Sequence, residues 1–456
     1  MSPFLFIIMS TIAAISTPNA AGGISMIRIS GEDAIDIASR IFRAADHRDI
    51  HEMQGYTCAY GYVYDKEYQI DDVVLTVFRA PHSFTGEDTV EITCHGGIYL
   101  TKKILLNILS KGAVSAQAGE FTRRAFENGK ISLSQAESVM NVIRANGNAA
   151  LRQANYARDG RLGKKMSEIS GRIVELLSAF AYWLDDAEEF PPELSTDNLK
   201  SNINQLLQEI LILSKNYEQG KIYRDGVRTV LLGRPNAGKS TVMNQLCGME
   251  RSIVTDIAGT TRDVITEQVR IGDFTLVLSD TAGIRETDQI IESIGITQAM
   301  RSLDDSDLVI YVIDATTGIL DEDRELIQKC NDKKIVVLWN KTDLTGVHAE
   351  QLSVPILECS AKYEFDFQAF HDILQSLFGN ADFCDQPSVL NERQNILLQN
   401  TVRCLKDCLS LIDQGSELDM IYTVLEECTG YLNQIDGHNV SEDVIDGVFS
   451  RFCVGK

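Results

Sequence analysis

The sequence predicts a multidomain protein: an α+β amino-terminal domain, an all-α helical domain made from two separated stretches, and an α/β phosphate-loop domain inserted between them. Three observations predict it. Short runs with period-two alternation fill the chain up to about residue 126. Two proline-poor stretches with apolar residues at i, i+3 and i+4 read as helices. Between them, wholly apolar strand-like runs alternate with helices, which is the texture of a buried parallel sheet. The expected segments are 1–126, 127–221, 222–380 and 381–456, the last being the second part of the helical domain with a terminal cysteine motif.

Length and composition agree. The 456 residues suffice for two to four domains. A hydrophobic fraction of 44% and a charged fraction of 23% exclude a fibrous or wholly disordered chain. Lys+Arg number 42 against 65 Asp+Glu, so the formal net charge is 42 − 65 = −23, which argues against a simple nucleic-acid clamp. Ten cysteines are scattered without a C-x-x-C pair or a zinc spacing and read as reduced cytosolic thiols. Cys404 and Cys408 stand one helical turn apart, as two apolar residues on one helix face would. Pro3 to Ile15 is largely apolar but lacks the basic start of a secretory signal, and no early Arg marks a transit peptide. No stretch reaches the roughly 20 apolar residues of a membrane span. The expectation is a soluble cytoplasmic protein, with Met9 an alternative initiator to Met1.

In chain order, the first domain opens with the apolar run Thr11-Ile12-Ala13-Ala14-Ile15-Ser16, expected as a buried strand. Ser25 to Ser30, Asp72 to Phe78 and Thr89 to Thr93 are strand-like, the last alternating with period two. Between Ser132 and Gln219 proline occurs only at Pro191-Pro192, and Ile173, Leu176, Leu177 and Phe180 make an apolar helical stripe. A second helical stretch runs from about Asn391 to Phe452, with Ile396, Leu397, Leu411, Ile412, Leu418, Ile421 and Leu425 supplying apolar stripes. The inserted segment, Gly226 to about Phe378, carries the strand runs Thr229–Leu232, Leu276–Leu278, Leu308–Ile313 and Lys334–Trp339.

The ends of those strands carry the chemistry. Gly233-Arg234-Pro235-Asn236-Ala237-Gly238-Lys239-Ser240 satisfies G-x-x-x-x-G-K-[ST] between a strand and a helix starting near Thr241. Its backbone N–H groups can approach phosphate oxygens, Lys239 can reach the β- and γ-phosphates, and the Ser240 hydroxyl can ligate Mg²⁺. Asp280-Thr281-Ala282-Gly283 follows the next strand, where a carboxylate can hold the magnesium shell and a glycine N–H can sense the γ-phosphate. Asn340-Lys341-Thr342-Asp343 ends the strand at Trp339, and Asp343 can accept the N1–H and 2-amino protons of guanine, which adenine cannot offer. Ser360-Ala361-Lys362 supplies the backing loop. Four motifs in order, each at the carboxyl end of a strand, predict GTP as the ligand.

The residue after Gly283 is Ile284, which cannot orient water as the Gln of many GTPases does. Arg285, Glu286 and Glu292 are the nearby candidates, set against the plain reading that charged residues on such a segment are solvated. Thr255-Asp256-Ile257-Ala258-Gly259-Thr260-Thr261-Arg262-Asp263 stands at the first-switch position. A threonine hydroxyl there can complete the Mg²⁺ shell, and exposed carbonyls can bind a second cation where an arginine finger puts positive charge.

With these motifs, and with Ser83-Phe84-Thr85-Gly86-Glu87-Asp88, His95-Gly96-Gly97, Gly119-Glu120-Phe121-Thr122-Arg123-Arg124-Ala125-Phe126 and the terminal Phe452-Cys453-Val454-Gly455-Lys456, the chain resembles the tRNA modification GTPases of the MnmE, or TrmE, family over nearly its whole length. The resemblance implies a folate-binding, dimerising α+β domain, a two-part helical domain and an inserted G domain whose copies meet across a potassium ion. Carried over by motif, Asn236, Thr255, Ile257 and Thr260 would ligate K⁺, Ser240 and Thr261 would ligate Mg²⁺, and Glu292 would act on the attacking water. Arg28, Glu91, Lys130 and Lys456 would hold 5-formyltetrahydrofolate or a related one-carbon folate, cations meeting its carboxylates and the carboxylate its pterin N–H groups. Cys453 corresponds to a residue needed for modification.

The same resemblance implies a homodimer that joins the flavoprotein MnmG, bearing FAD, in a heterotetramer acting on C5 of the tRNA wobble uridine, with no membrane. The acidity then predicts that the partner grips most of the tRNA. Two departures predict looser loops on the folate side: the entry Pro18-Asn19-Ala20-Ala21-Gly22-Gly23-Ile24-Ser25, and Ala118 where the family has Pro. A ribosome-assembly GTPase is the alternative, but the chain lacks its basic RNA-binding module and is acidic and helical after Asp382. An idle nucleotide-binding scaffold would leave Lys239, Ser240, Thr261 and Asp280 without purpose.

Overall fold

The structure is a computed structural model that describes residues 10–185, 191–248, 266–279, 303–346, 348–349, 352–379 and 388–456. The chain divides into two compact units, one drawn from Met1–Met140, Met166–Val174 and Thr429–Lys456, the other from Asn141–Lys165 and Glu175–Cys428.

The first unit is built on a seven-stranded sheet of β1 (Ile12–Ile15), β2 (Ile24–Ser30), β3 (Phe42–Ala44), β4 (Thr57–Asp65), β5 (Tyr68–Phe78), β6 (Thr89–His95) and β7 (Val114–Ser115). Their spatial order is β3-β4-β5-β6-β2-β1-β7. Neighbours are antiparallel except β1 and β7, which are parallel. The expected strands are all present, including the apolar run after Thr11. Alternation sets the core: Val73, Leu75 and Val77 of β5, Ile27 and Ile29 of β2 and Val90 and Ile92 of β6 all point to one buried face. Helices α1 (Ala34–Ser39) and α2 (Ile98–Ser110) cover it with Ile35, Ile37, Ile104 and Ile108. Because side chains alternate, Arg28 and Glu91 face away from that core, opposite each other in register. Helices α3 (Glu120–Glu127) and α4 (Leu133–Arg144) follow. Leu133, Ala136 and Met140 form a second apolar cluster with Phe449 and Phe452, which places the carboxy-terminal helix Glu442–Phe449 in this unit.

The second unit holds α5 (Asn148–Arg158), part of α6 (Arg161–Asp185), α7 (Thr196–Asp225), the inserted domain, α11 (Glu392–Asp413) and part of α12 (Leu418–Asp436). Helices α7 and α11 flank the insertion in sequence and pack together antiparallel, Ser214 meeting Gln399 and Lys200 meeting Asp413. Cys404, Cys408 and, on α12, Cys428 are buried free thiols. Burial pushes Cys408 up to about 12, so these are packing residues, as the one-turn spacing suggested.

The inserted domain is a six-stranded sheet of β8 (Val227–Leu232), β9 (Thr266–Ile271), β10 (Phe274–Ser279), β11 (Leu308–Asp314), β12 (Lys334–Asn340) and β13 (Ile356–Glu358), in the order β13-β12-β11-β8-β10-β9. It is parallel apart from the β9–β10 hairpin. Six consecutive residues of β11 and of β12 are buried, as expected of strands covered on both faces. Its helices are α8 (Lys239–Gly248), α9 (Asp321–Lys329) and α10 (Phe367–Phe378). Strands β8, β11 and β12 end on the same side of the sheet, so the loops that follow them gather at one edge.

Candidate functional site

At that edge the phosphate loop leaves β8 and enters α8. Two positions require glycine. Gly233 has φ +141° and a Cβ there would lie 2.3 Å from the carbonyl of Val312; Gly238 has φ +100° and its Cβ would lie 2.2 Å from Nδ2 of Asn340. Between them Asn236 takes a left-handed φ of 60°, a conformation Asn tolerates better than most residues. Lys239 begins α8 and folds back over the loop, its Nζ donating to the carbonyls of Gly233 (2.8 Å) and Arg234 (2.7 Å). Burial lowers the pKa of that ammonium, as it disfavours the charged form. Ser240 and Thr241 are exposed in the first turn of the helix, where free N–H groups and the helix dipole favour an anion.

The base-recognition motifs are stapled to this loop. Asn340 is 2% exposed; its Nδ2 donates to the carbonyl of Ala237 (2.9 Å) and its Oδ1 accepts from the N–H of Ala361 (3.0 Å). One side chain therefore joins three motifs that lie far apart in sequence. Lys341, left-handed at φ 66°, donates Nζ to the carbonyl of Asn236 and to Asp314, both at 2.7 Å. Burial opposes the charged form of Asp314, yet bonds from Lys341 and Thr316 outweigh it and hold its carboxyl below the usual range. The Ser360 hydroxyl donates to Asp343 Oδ1 at 2.6 Å, orienting the carboxylate expected to read guanine. Thr342 and Asp343 form a short turn, and exposed Lys362 sits 5.0 Å from the ring centre of Tyr363. Thr255, Asp256, Ile257, Ala258, Gly259, Thr260, Thr261, Asp280, Thr281, Ala282, Gly283 and Glu292 lie outside the described residues.

Sequence reasoning missed two groups at this edge. Arg234 pairs with the buried Asp323, which also accepts from the Tyr311 hydroxyl. Arg234 occupies a variable position of its motif, and Asp323 reads in sequence as one of three acids starting a helix, so neither stands out. Asp314 ends β11 outside every motif.

The first unit carries the other set. Arg28 Nε donates to Glu91 Oε1 at 2.8 Å and its guanidinium lies 5.6 and 5.8 Å from the ring centres of Phe121 and Phe84. The chain end closes on it. The carbonyl of Gly455 accepts from Arg28 Nη1 (3.4 Å) and from the Ser16 hydroxyl (3.1 Å). Gly455, at φ +92°, leaves no room for a Cβ, which would sit 2.4 Å from the carbonyl of Ile15. Lys456 is half-buried, and burial first, then the Arg28 charge, lowers its pKa. Cys453 is exposed, its carbonyl accepting from Gly119 N–H at 3.4 Å. Lys130 lies against Gly86 and donates Nζ to the carbonyl of Pro81 at 2.8 Å, apart from the Arg28–Glu91 pair.

The loops expected to be loose are tied. Ala118 forms an antiparallel bridge with Val454, and in the entry segment Gly22 N–H donates to Gly96 while Gly96 N–H donates to Gly23. The His95-Gly96-Gly97 run supplies those backbone partners, and a Cβ on Gly96 would lie 2.4 Å from the Gly22 carbonyl.

Comparison with known proteins identifies the family of the chain. Residues 11–130 match the family described as the GTP-binding protein TrmE N-terminus, and residues 133–453 match the MnmE helical domain. The chain belongs to the MnmE family. It is 39% identical to the tRNA modification GTPase MnmE of Clostridioides difficile strain 630, over 98% of this chain and 99% of that protein. The MnmE of Lactococcus lactis subsp. lactis is also 39% identical, covering 98% of each chain, and that of Acetivibrio thermocellus is 37% identical over 98% of this chain and 99% of the relative. Among solved structures, the FeoB G-domain of Methanococcus jannaschii aligns at 21% identity over 34% of this chain and 98% of that one, with a TM-score of 0.25. As an MnmE-family chain with its nucleotide motifs in order, the protein is a GTPase. No helix among the described residues is long and apolar enough to cross a membrane.

Proposed function

We propose that this GTPase serves tRNA modification, working with the flavoprotein MnmG to add an aminomethyl or carboxymethylaminomethyl group at C5 of the wobble uridine. The observation that carries this reading is the closure of the chain end on Arg28: Gly455 and Lys456 converge with the Arg28–Glu91 pair in the first unit, two and three residues after Cys453. A GTPase acting only as a switch has no use for a chain end closed on a paired cation and carboxylate. The cations Arg28 and Lys456 suit the carboxylates of a one-carbon folate, with Lys130 at the rim and Glu91 for the pterin donors. The folate and the partner's flavin supply the one-carbon and redox chemistry; this chain's residues bind and orient.

In the G domain, Lys239 holds the phosphates, Ser240 with Thr261 receives Mg²⁺, and Asp343 reads guanine. Asn236, with Thr255, Ile257 and Thr260, holds K⁺ when two G domains of a homodimer meet, and Glu292 orients water in place of the absent Gln. The net charge of −23 fits a complex in which the partner carries most of the contact to tRNA in the cytoplasm. Nucleoside mass spectrometry of tRNA from a strain lacking the gene tests the reading: the C5-modified wobble uridine disappears and returns with the wild-type gene. Its persistence in the absence of a paralogue would favour an assembly-factor role.

A further inference from the structure

Asp323 is a carboxylate with 0% exposure, and such a group persists only where its oxygens are hydrogen-bonded and its charge is matched. Its Oδ2 accepts from the N–H of Leu320 at 2.9 Å, capping α9. Its Oδ1 accepts from the Tyr311 hydroxyl at 2.9 Å and from Arg234 Nε at 3.1 Å. Helix capping explains the first bond. It does not explain why the counter-charge comes from the phosphate loop, 89 residues away in sequence.

The Arg234 side chain is used up on the side away from the phosphate position. Besides Asp323, its Nη2 donates to the Thr317 hydroxyl (2.9 Å) and to the carbonyl of Gly318 (2.8 Å). Its backbone does different work. The Arg234 carbonyl accepts from Lys239 Nζ at 2.7 Å and from the N–H of Ala237 at 3.3 Å, closing the turn that contains left-handed Asn236. On the other side of that turn, Lys341 grips the carbonyl of Asn236 from Asp314. The loop between Gly233 and Gly238 is thus clamped at one shoulder by the segment running from the end of β11 into α9, and at the other by Lys341, which Asp314 of that segment holds. A non-glycine residue at positive φ survives only where its surroundings over-determine it, and this clamp does so.

We infer that Asp323 is a positioning residue of the nucleotide site: by fixing Arg234 it sets the loop geometry in which Asn236 and Lys239 meet their ligands. Neither Asp323 nor the Arg234 side chain touches nucleotide; both act through the loop backbone. For Asn236 the inference rests on the potassium reading above.

Full-length Asp323→Asn and Arg234→Lys test it. Asparagine keeps the shape but offers no charge to Arg234, while lysine keeps a charge but cannot fork between Asp323, Thr317 and Gly318. Each variant is assayed for GDP affinity, for kcat of GTP hydrolysis and for the K⁺ concentration giving half-maximal rate. Both are expected to need about 10-fold more K⁺ for half-maximal rate. An unchanged K⁺ requirement with only a lower Tm overturns the inference, since Asp323 would then be a helix cap alone. If the wild-type protein is equally fast in Na⁺ and K⁺, the potassium reading has failed independently. The inference then stands on GDP affinity, expected to weaken about 10-fold in both variants, and unchanged affinity overturns it. Should Asp323→Asn fail to fold, Arg234→Lys carries the same measurements.

Discussion

The two candidate sites are built in opposite ways. The phosphate loop is a single run of eight residues that holds its glycines, lysine and serine together in sequence, with Asn340 and Lys341 reaching in from the end of β12. The site around Arg28 has no such run: Arg28 and Glu91 are 63 residues apart, and Arg28 and Gly455 are 427 apart. One site is written in a contiguous motif; the other exists only once a sheet has formed and the chain end has docked on it. Damage to the first should remain chemical, whereas damage to the second should extend to how the chain end is held.

Lys239→Ala puts the largest effect on the first site. Removing the phosphate-loop ammonium proposed to hold the phosphates should cut GTP hydrolysis by about 100- to 1000-fold, read as phosphate release, while folate binding is unchanged. Any loss of folate affinity in this variant would break the separation between the sites.

Arg28→Ala is the converse. It leaves Glu91 without its cation and removes the charge proposed to meet the folate carboxylates, so folate affinity should fall by about 10- to 100-fold in calorimetry. GTPase turnover should be unaffected. An Arg28→Ala protein with full folate affinity would move the ligand off the Arg28–Glu91 pair, towards Lys130 and Pro81.

How much was legible in the sequence follows the same division. Strands β1, β2, β5 and β6 of the first sheet, β8, β10, β11 and β12 of the second, the helical stretches and the phosphate loop are all local patterns that survive in the linear text. Asp323 and Asp314 were not legible, because what matters about them is the loop they clamp, and nothing in Asp321-Glu322-Asp323 says which acid turns inward. The expectation of loose loops at Ala118 and at Pro18–Ser25 erred for a related reason. It judged each loop by its own residues, whereas Val454 and Gly96, distant in sequence, supply the backbone partners.

Arg123 sharpens the comparison with a smaller effect. It donates to Glu127 at 2.7 Å within α3, and to Glu442 (3.1 Å) and Asp446 (2.6 Å) on the carboxy-terminal helix. It therefore ties the helix that precedes Cys453. Burial works against its charged form, but those carboxylates outweigh the penalty and raise its pKa, so it stays charged at any ordinary pH. Arg123→Ala should cost about 1–2 kcal/mol in the first unit and speed amide exchange across residues 442–456, with no change in GTP hydrolysis. Unchanged exchange across that segment would mean that Phe449, Phe452 and the backbone bonds of Val454 and Gly455 suffice to hold the chain end.

His95 tests whether a motif residue near the second site is structural. Its Nδ1 lies 2.8 Å from Asp71 Oδ1, and its backbone N–H donates to Asp71 Oδ2 at 2.9 Å, bracing the edge from which Gly96 meets the entry loop. The hydrogen bond to Asp71, then its charge, raises the imidazole pKa above the ordinary 6.5. A folded-state pKa above the unfolded one means that the stabilisation is complete below pH 6.5 and is lost as pH rises through the folded value. In an NMR titration the His95 resonances should therefore shift above pH 6.5, and Asp71→Asn should bring the midpoint down. The ring is largely in water, so the effect on stability is small, and folate affinity should not follow this titration. If affinity did track the His95 midpoint, the second site would extend to the sheet edge, and its docked chain end would be only part of what holds the ligand.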